Sequence, residues 1–141
     1  MSGMYSMVFG PRGDELYPLA KALLGEETHT GRYRDMWFEK NPADPSGESC
    51  ILAIYTRNGG GNREEYAEQI KSMQVHPNFV EDADDSFDAT YATFRFVYTF
   101  AALEEFEVGM ADVVREQLVD RIDPSEMWKN AIAQLNANAN G

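Results

Sequence analysis

The sequence predicts an α+β fold: a ferredoxin-like βαββαβ core with one antiparallel or mixed sheet, followed by two C-terminal helices. Three observations predict it. An apolar run of strand length, a glycine-bearing loop and a helical pattern follow one another twice, over residues 4–24 and 50–73. Residues 90–100 alternate apolar and polar side chains at the period of a strand. Residues 101–141 carry helical spacing and a helix start signal. A chain of 141 residues is expected to build one core. Residues 1–100 form the expected α+β core domain, and 101–141 a helical extension packed on the same domain.

Met4 to Phe9 read as the first strand, ending at Gly10-Pro11-Arg12-Gly13. Leu16, Leu19, Ala20, Leu23 and Leu24 then recur at helical spacing, which predicts a helix over 15–24 with Asp14 as N-cap, Pro18 near the first turn and Gly25 as the stop. Arg32 to Lys40 alternate as a strand, and the turn-rich Asn41 to Gly47 connect them to Cys50-Ile51-Leu52-Ala53-Ile54-Tyr55, a near-continuous apolar run that predicts a central strand. Tyr66, Ile70 and Met73 mark the second helix, ended by His76-Pro77, where the histidine is expected to cap it. Asn78 to Val80 are a candidate edge strand, and the acidic stretch Glu81 to Asp88 is expected to be a loop.

In the last strand Ala92, Phe94, Phe96 and Tyr98 alternate with Tyr91, Thr93, Arg95 and Val97, so the first set should face the helices. Beyond it, Leu103, Phe106, Met110, Val113, Val114 and Leu118 fall on one helical stripe. Asp123-Pro124-Ser125-Glu126 has the form of an N-cap, an N1 proline and an N3 acid opening a final helix with Trp128, Ile132 and Leu135. Met127 and Trp128 there are a candidate homo-oligomer contact, and 136–141 a frayed tail. A ferredoxin-like order places the first and third strands parallel in the centre of the sheet, so the loops Gly10 to Gly13 and Thr56 to Arg63 should emerge side by side.

Twelve Lys and Arg against 24 Asp and Glu give a net charge of -12. Such a field repels phosphate backbones and anionic lipid, which argues against duplex nucleic acid and membrane partners. One cysteine cannot form an internal disulfide, and the first residues lack the basic and apolar regions of a signal peptide, so a cytoplasmic protein is expected. Cys50 reads as a small buried hydrophobe.

The chemistry concentrates in Tyr55-Thr56-Arg57-Asn58-Gly59-Gly60-Gly61-Asn62-Arg63. Consecutive glycines let backbone N–H groups turn toward a ligand without Cβ clashes, and a helix start adds unpaired donors and partial positive charge. Arg57 and Arg63 supply forked donors for phosphate or carboxylate, and Asn58 and Asn62 can read neighbouring polar edges. Gly59, Gly60 and Gly61 would cradle the anion, with Tyr55 and Arg12 alongside. The loop is neither a P-loop nor a GxGxxG fingerprint, and a plain flexible turn is the competing reading.

The acidic stretch offers Asp82, Asp84, Asp85 and Asp88, but lacks the central glycine and terminal glutamate of an EF-hand, so a solvated loop is the expectation and no metal or other cofactor is assigned. His29 and His76 have no second nitrogen or sulfur ligand nearby in sequence. Arg32, Arg34 and Arg95 fall on alternating strand positions and are expected to make surface ion pairs with Asp35, Glu39 or the C-terminal helices.

The segments Gly31-Arg32-Tyr33-Arg34-Asp35-Met36-Trp37, Ile54 through Arg63, His76-Pro77 and Asp84 through Phe94 together resemble a family of small uncharacterised proteins common in bacteriophage genomes. The likeness covers about residues 4–98. It implies an accessory protein acting in the host cytoplasm and carries no catalytic roles. The expected function is a binding protein that takes a phosphorylated or nucleotide-like ligand, such as a host immune signal, at the glycine loop. The alternative is an acidic inhibitor or adaptor that engages a basic host protein with no small ligand. A metal-dependent phosphoryl-transfer enzyme using the acidic stretch is the remaining reading.

Overall fold

Alternating large apolar residues form strands where the faces find cover, and among the described residues that cover comes from helices on one side and from residues 119–122 on the other. The structure, a computed structural model, describes residues 12–25, 33–57, 63–84, 91–122, 133–134 and 136–139. In order they form α1 (Arg12–Leu24), β1 (Tyr33–Lys40), β2 (Ser49–Arg57), α2 (Arg63–Gln74), β3 (Phe79–Asp84), β4 (Tyr91–Thr99), α3 (Phe100–Phe106) and α4 (Met110–Glu116). This is an α+β protein with helices following the sheet.

The strands make one sheet in the order β1-β2-β4-β3, and every pairing is antiparallel. The register runs Phe38 opposite Leu52, Leu52 opposite Phe96, and Phe96 opposite Phe79. On that face Met36, Phe38, Leu52, Ile54, Phe94 and Phe96 pack under Ala20 and Leu24 of α1, Met73 of α2, and Leu103, Met110 and Val114 of α3 and α4. The set Ala92, Phe94, Phe96 and Tyr98 therefore faces the helices, as the alternation requires. Cys50 lies in the same core, fully buried.

Several expectations are corrected. Both edges of β2 are taken, by β1 and β4, so the central pair is β2–β4 and antiparallel, and the parallel central pair of the ferredoxin-like order is not formed. The expected strand 4–9 lies outside the described residues. Helix α1 opens at Arg12, which puts Asp14 inside the first turn instead of at the cap and Pro18 in the helix interior, where the exposed ring leaves one carbonyl without its usual donor. Gly25 does end the helix, at φ +85, with its N–H donating to Lys21 O at 2.9 Å.

The acidic stretch is not all loop: Glu81 to Asp84 belong to β3, the last strand of the described sheet, because pairing with β4 outweighs the low strand propensity of acids, and Asp85 to Asp88 lie outside the described residues. The single stripe after β4 is broken, since α3 ends at Phe106 and α4 begins at Met110, with Gly109 at φ 90 before it. Leu103, Met110 and Val114 stay buried, whereas Phe106 and Val113 turn outward, 51% and 49% exposed. Thr99 caps α3, its Oγ1 accepting from Ala102 N at 3.0 Å. The final helix start at Asp123 lies outside the described residues, and 136–139, expected to fray, are helical.

Candidate functional site

The structure brings together a buried charge cluster on the sheet face turned away from the helices. One row across the sheet reads Trp37, Ala53, Arg95, Glu81. Ala53, the small residue of that row, leaves room for the Arg95 side chain to run toward Glu39 of β1. Arg95 Nε donates to Glu39 Oε1 at 3.0 Å and Nη2 to Oε2 at 3.2 Å, a forked pair in which both residues are essentially inaccessible, 2% and 0% exposed. Arg95 Nη1 also donates to Glu81 Oε1 at 3.1 Å, and Glu81 takes a second partner in Arg121. Burial works against the Arg95 charge, but the hydrogen bonds and field of Glu39, then of Glu81, outweigh it and hold the guanidinium protonated.

This cluster grips main chain. Ile122 N donates to Glu39 Oε2 at 3.0 Å and Ile122 O accepts from Arg95 Nη2 at 2.8 Å. Upstream, Val119 N donates to Phe38 O at 3.0 Å and Lys40 N to Val119 O at 2.9 Å, a parallel bridge that covers the outer edge of β1. Val119 and Ile122 close a small second core over Trp37, Ala53 and Tyr55. The Trp37 indole completes the Glu39 shell, its Nε1 donating to Oε2 at 2.8 Å. Within the described residues the buried carboxylate and guanidinium are thus partnered by Trp37, Glu81 and the backbone of Ile122 as well as by each other, and the cluster is a clamp on 119–122.

The expected anion site is only partly visible. β2 ends at Arg57 and α2 begins at Arg63, so the glycine run joins a central strand to the first turn of a 12-residue helix. Asn58, Gly59, Gly60, Gly61 and Asn62 lie outside the described residues. Tyr55 is fully buried in the second core. Arg12 opens α1, but the expected meeting of its loop with the glycine run rested on a parallel central pair that the sheet does not contain.

Among the described residues no group of three or more His, Cys, Asp or Glu is placed to hold a metal ion. Asp82 and Asp84 sit on β3, and Asp85 and Asp88 lie outside the described residues. Burial pushes the Cys50 thiol up to about 12, which keeps it protonated and unreactive at neutral pH. In the β1–β2 turn, hydroxyl donors Ser46 and Ser49 hold the Asp44 carboxyl below its ordinary value.

Arg95 was expected in a surface ion pair; the pairing with Glu39 is present, but the pair is buried, because residues 119–122 lie over it. Arg32 and the Arg34 side chain are not among the described groups. The grip on Ile122 had no direct sequence signal. Its trace was a glutamate directly after Met36-Trp37-Phe38 and a lone arginine between Phe94 and Phe96, charges against runs that otherwise demand burial.

No family model matches the chain, and no solved structure matches it. A stretch of 75 residues is 35% identical to an uncharacterised protein of Acanthamoeba polyphaga mimivirus, covering 53% of this chain and 30% of that protein. The chain therefore spans less than a third of the length of this viral relative. No helix among the described residues is long and apolar enough to cross a membrane.

Proposed function

We propose that the protein is a phage- or virus-type accessory binding protein that captures a phosphorylated or nucleotide-like anion at the glycine run between β2 and α2, in the cytoplasm of an infected cell. The observation that carries this reading is the junction itself: β2, held by strands on both edges, delivers Arg57, and α2 restarts at Arg63. A rigid strand end followed by a helix start is the setting in which glycine N–H groups and forked arginines converge on an anion. Among the arginines whose side chains are described, Arg95 is engaged by Glu39, Arg121 by Glu81, and Arg115 by Asp112 and the face of Phe100.

Calorimetric titration with cyclic and linear nucleotides tests it. Wild-type protein is expected to give saturable heat with at least one of them, and Arg57→Ala or Arg63→Ala to weaken that binding by about 1.5–3 kcal/mol, the range for hydrogen bonds to charged groups. Gly60→Val should abolish it. Absence of heat from every nucleotide, with normal folding, removes the reading.

A second reading is favoured by the exposed acids of α3, α4 and their connection. Glu105, Glu107, Asp112 and Glu116 are exposed in a chain of net charge -12, the surface of an acidic adaptor for a basic host protein. Binding of such a partner should fall steeply between 50 and 300 mM salt. Nucleotide heat insensitive to that partner separates the two.

A further inference from the structure

The turn between α2 and β3 is organised by one imidazole. His76 N donates to Met73 O at 3.1 Å and His76 O accepts from Phe79 N at 3.0 Å, so the residue is seated in the turn by its own backbone. Its ring accepts at Nδ1 from Asn78 N at 3.1 Å. A backbone N–H can only donate, so Nδ1 presents a lone pair and the ring proton sits on Nε2. Nε2 lies 3.4 Å from Leu23 O, at the end of α1, and 3.4 Å from the Tyr98 hydroxyl of β4. The ring stands edge-on to Phe96, centroids 5.1 Å apart at 79°. The backbone of this histidine thus closes the end of α2, as its position before Pro77 suggested, while its ring joins α1, the α2–β3 turn and β4.

Protonation would place a second N–H on Nδ1, facing the Asn78 N–H. Asn78 cannot turn aside, because β4 pins it twice: Asn78 Nδ2 donates to Val97 O at 2.6 Å, and Val97 N to Asn78 O at 2.8 Å. The ring must move instead, and with it go the Leu23 contact and the edge contact on Phe96. We propose that His76 is an acid-sensitive latch: neutral, it ties the end of α1 and the α2–β3 turn to β4, and charged, it lets them go.

The groups around it make the ring the element that titrates. From β4 it meets the Tyr98 hydroxyl, which burial, then nearby Cys50, push above its ordinary value and keep neutral. From α1 it meets the Leu23 carbonyl, and from the turn the neutral Asn78. The nearest basic residues along these elements are Lys21 and Lys71, in the last turns of α1 and α2. Burial lowers the His76 pKa, with the Leu23 carbonyl opposing. A histidine whose folded value is depressed contributes stability in full above the unfolded value of about 6.5, and that contribution is lost as pH falls below it.

NMR titration of the full chain from pH 8 to 5 tests the latch, with His29 as the second histidine in the spectrum. The His76 ring is expected to titrate with a midpoint below about 6.5, and the Asn78 and Leu24 amide signals to follow the same midpoint. Amide exchange in the last turn of α1, corrected for intrinsic chemistry, should quicken at least about threefold in acid. His76→Gln, which can still accept from Asn78 N but takes no proton, should lose that acceleration. A ring midpoint at or above the unfolded value, an Asn78 amide that ignores it, or equal acceleration in His76→Gln overturns the proposal. If His76→Gln does not fold, the wild-type midpoint and the Asn78 response decide alone.

Discussion

The two faces of this sheet are made by the same strands and held by different physics. The helix face joins side chains from all the strands to α1, α2, α3 and α4 in one apolar cluster, with Phe38, Leu52, Phe94 and Phe96 fully buried. Stability there depends on volume and contact, without a required direction. The opposite face gathers Trp37, Ala53 and Tyr55 into a small buried cluster covered by Val119 and Ile122, with Ile51 of β2 also buried, and beside them lies an ion pair hydrogen-bonded to both the N–H and the C=O of Ile122. A short segment buries too little apolar area to dock by itself; directional bonds from buried charges choose its register. The difference teaches that one face specifies that the chain folds, and the other specifies where its C-terminal segment goes.

Breaking either face should be costly, for unlike reasons. Phe94→Ala is expected to lower stability by about 3–5 kcal/mol in urea denaturation, the loss of transfer energy plus a cavity. Glu39→Ala should cost a comparable amount, about 3–5 kcal/mol, because it strands the Arg95 charge. The double variant Glu39→Leu with Arg95→Met sharpens the contrast: most of that loss should return, since no charge is left unpaired. The Trp37 indole and the Ile122 amide lose their acceptor in it, so a deficit of about 1–3 kcal/mol should remain. A double variant no better than Glu39→Ala would mean that the charge pair is not what decides this face.

Smaller effects probe the edges. Gly25→Ala should cost about 1–2 kcal/mol: φ there is +85 and nothing lies within 4 Å of an added Cβ, so the backbone alone resists. Arg121→Ala removes a half-exposed partner of Glu81 and should change stability by under about 1 kcal/mol. At the lower limit, iodoacetamide at pH 8 should leave Cys50 unmodified until the protein unfolds, as mass spectrometry would show, because the thiol is buried and its pKa pushed up to about 12.

Period-two alternation in 91–99 and the apolar run 50–55 were legible as strands, and the turn chemistry of 41–47 was legible between them, because each is a local pattern. Gly25 was legible as a stop for the same reason. The edge strand was only half legible: Asn78 to Val80 suggested it, but Glu81 to Asp84 carry residues that disfavour strands and extend only because β4 offers a ladder. The candidate anion loop was legible as a strand–glycine–helix junction, whereas the burial of Tyr55 was not, since an aromatic at a strand end reads alike beneath a cover and beside a ligand.

By itself the sequence determined the α+β class, the core-facing side of β4 and the pairing of Arg95 with an acid, all consequences of side-chain periodicity and the cost of an unpaired charge. Strand order was decided only in three dimensions. Antiparallel β2–β4 pairing joins residues some forty positions apart, and the choice between it and a parallel partner is made by which edge closes first and what then covers each face. The clamp was likewise a tertiary decision. Glu39 and Arg95 are separated by 56 residues and Glu39 and Ile122 by 83, and no local pattern reports that a carboxylate, a guanidinium and the backbone of Ile122 will meet in one place.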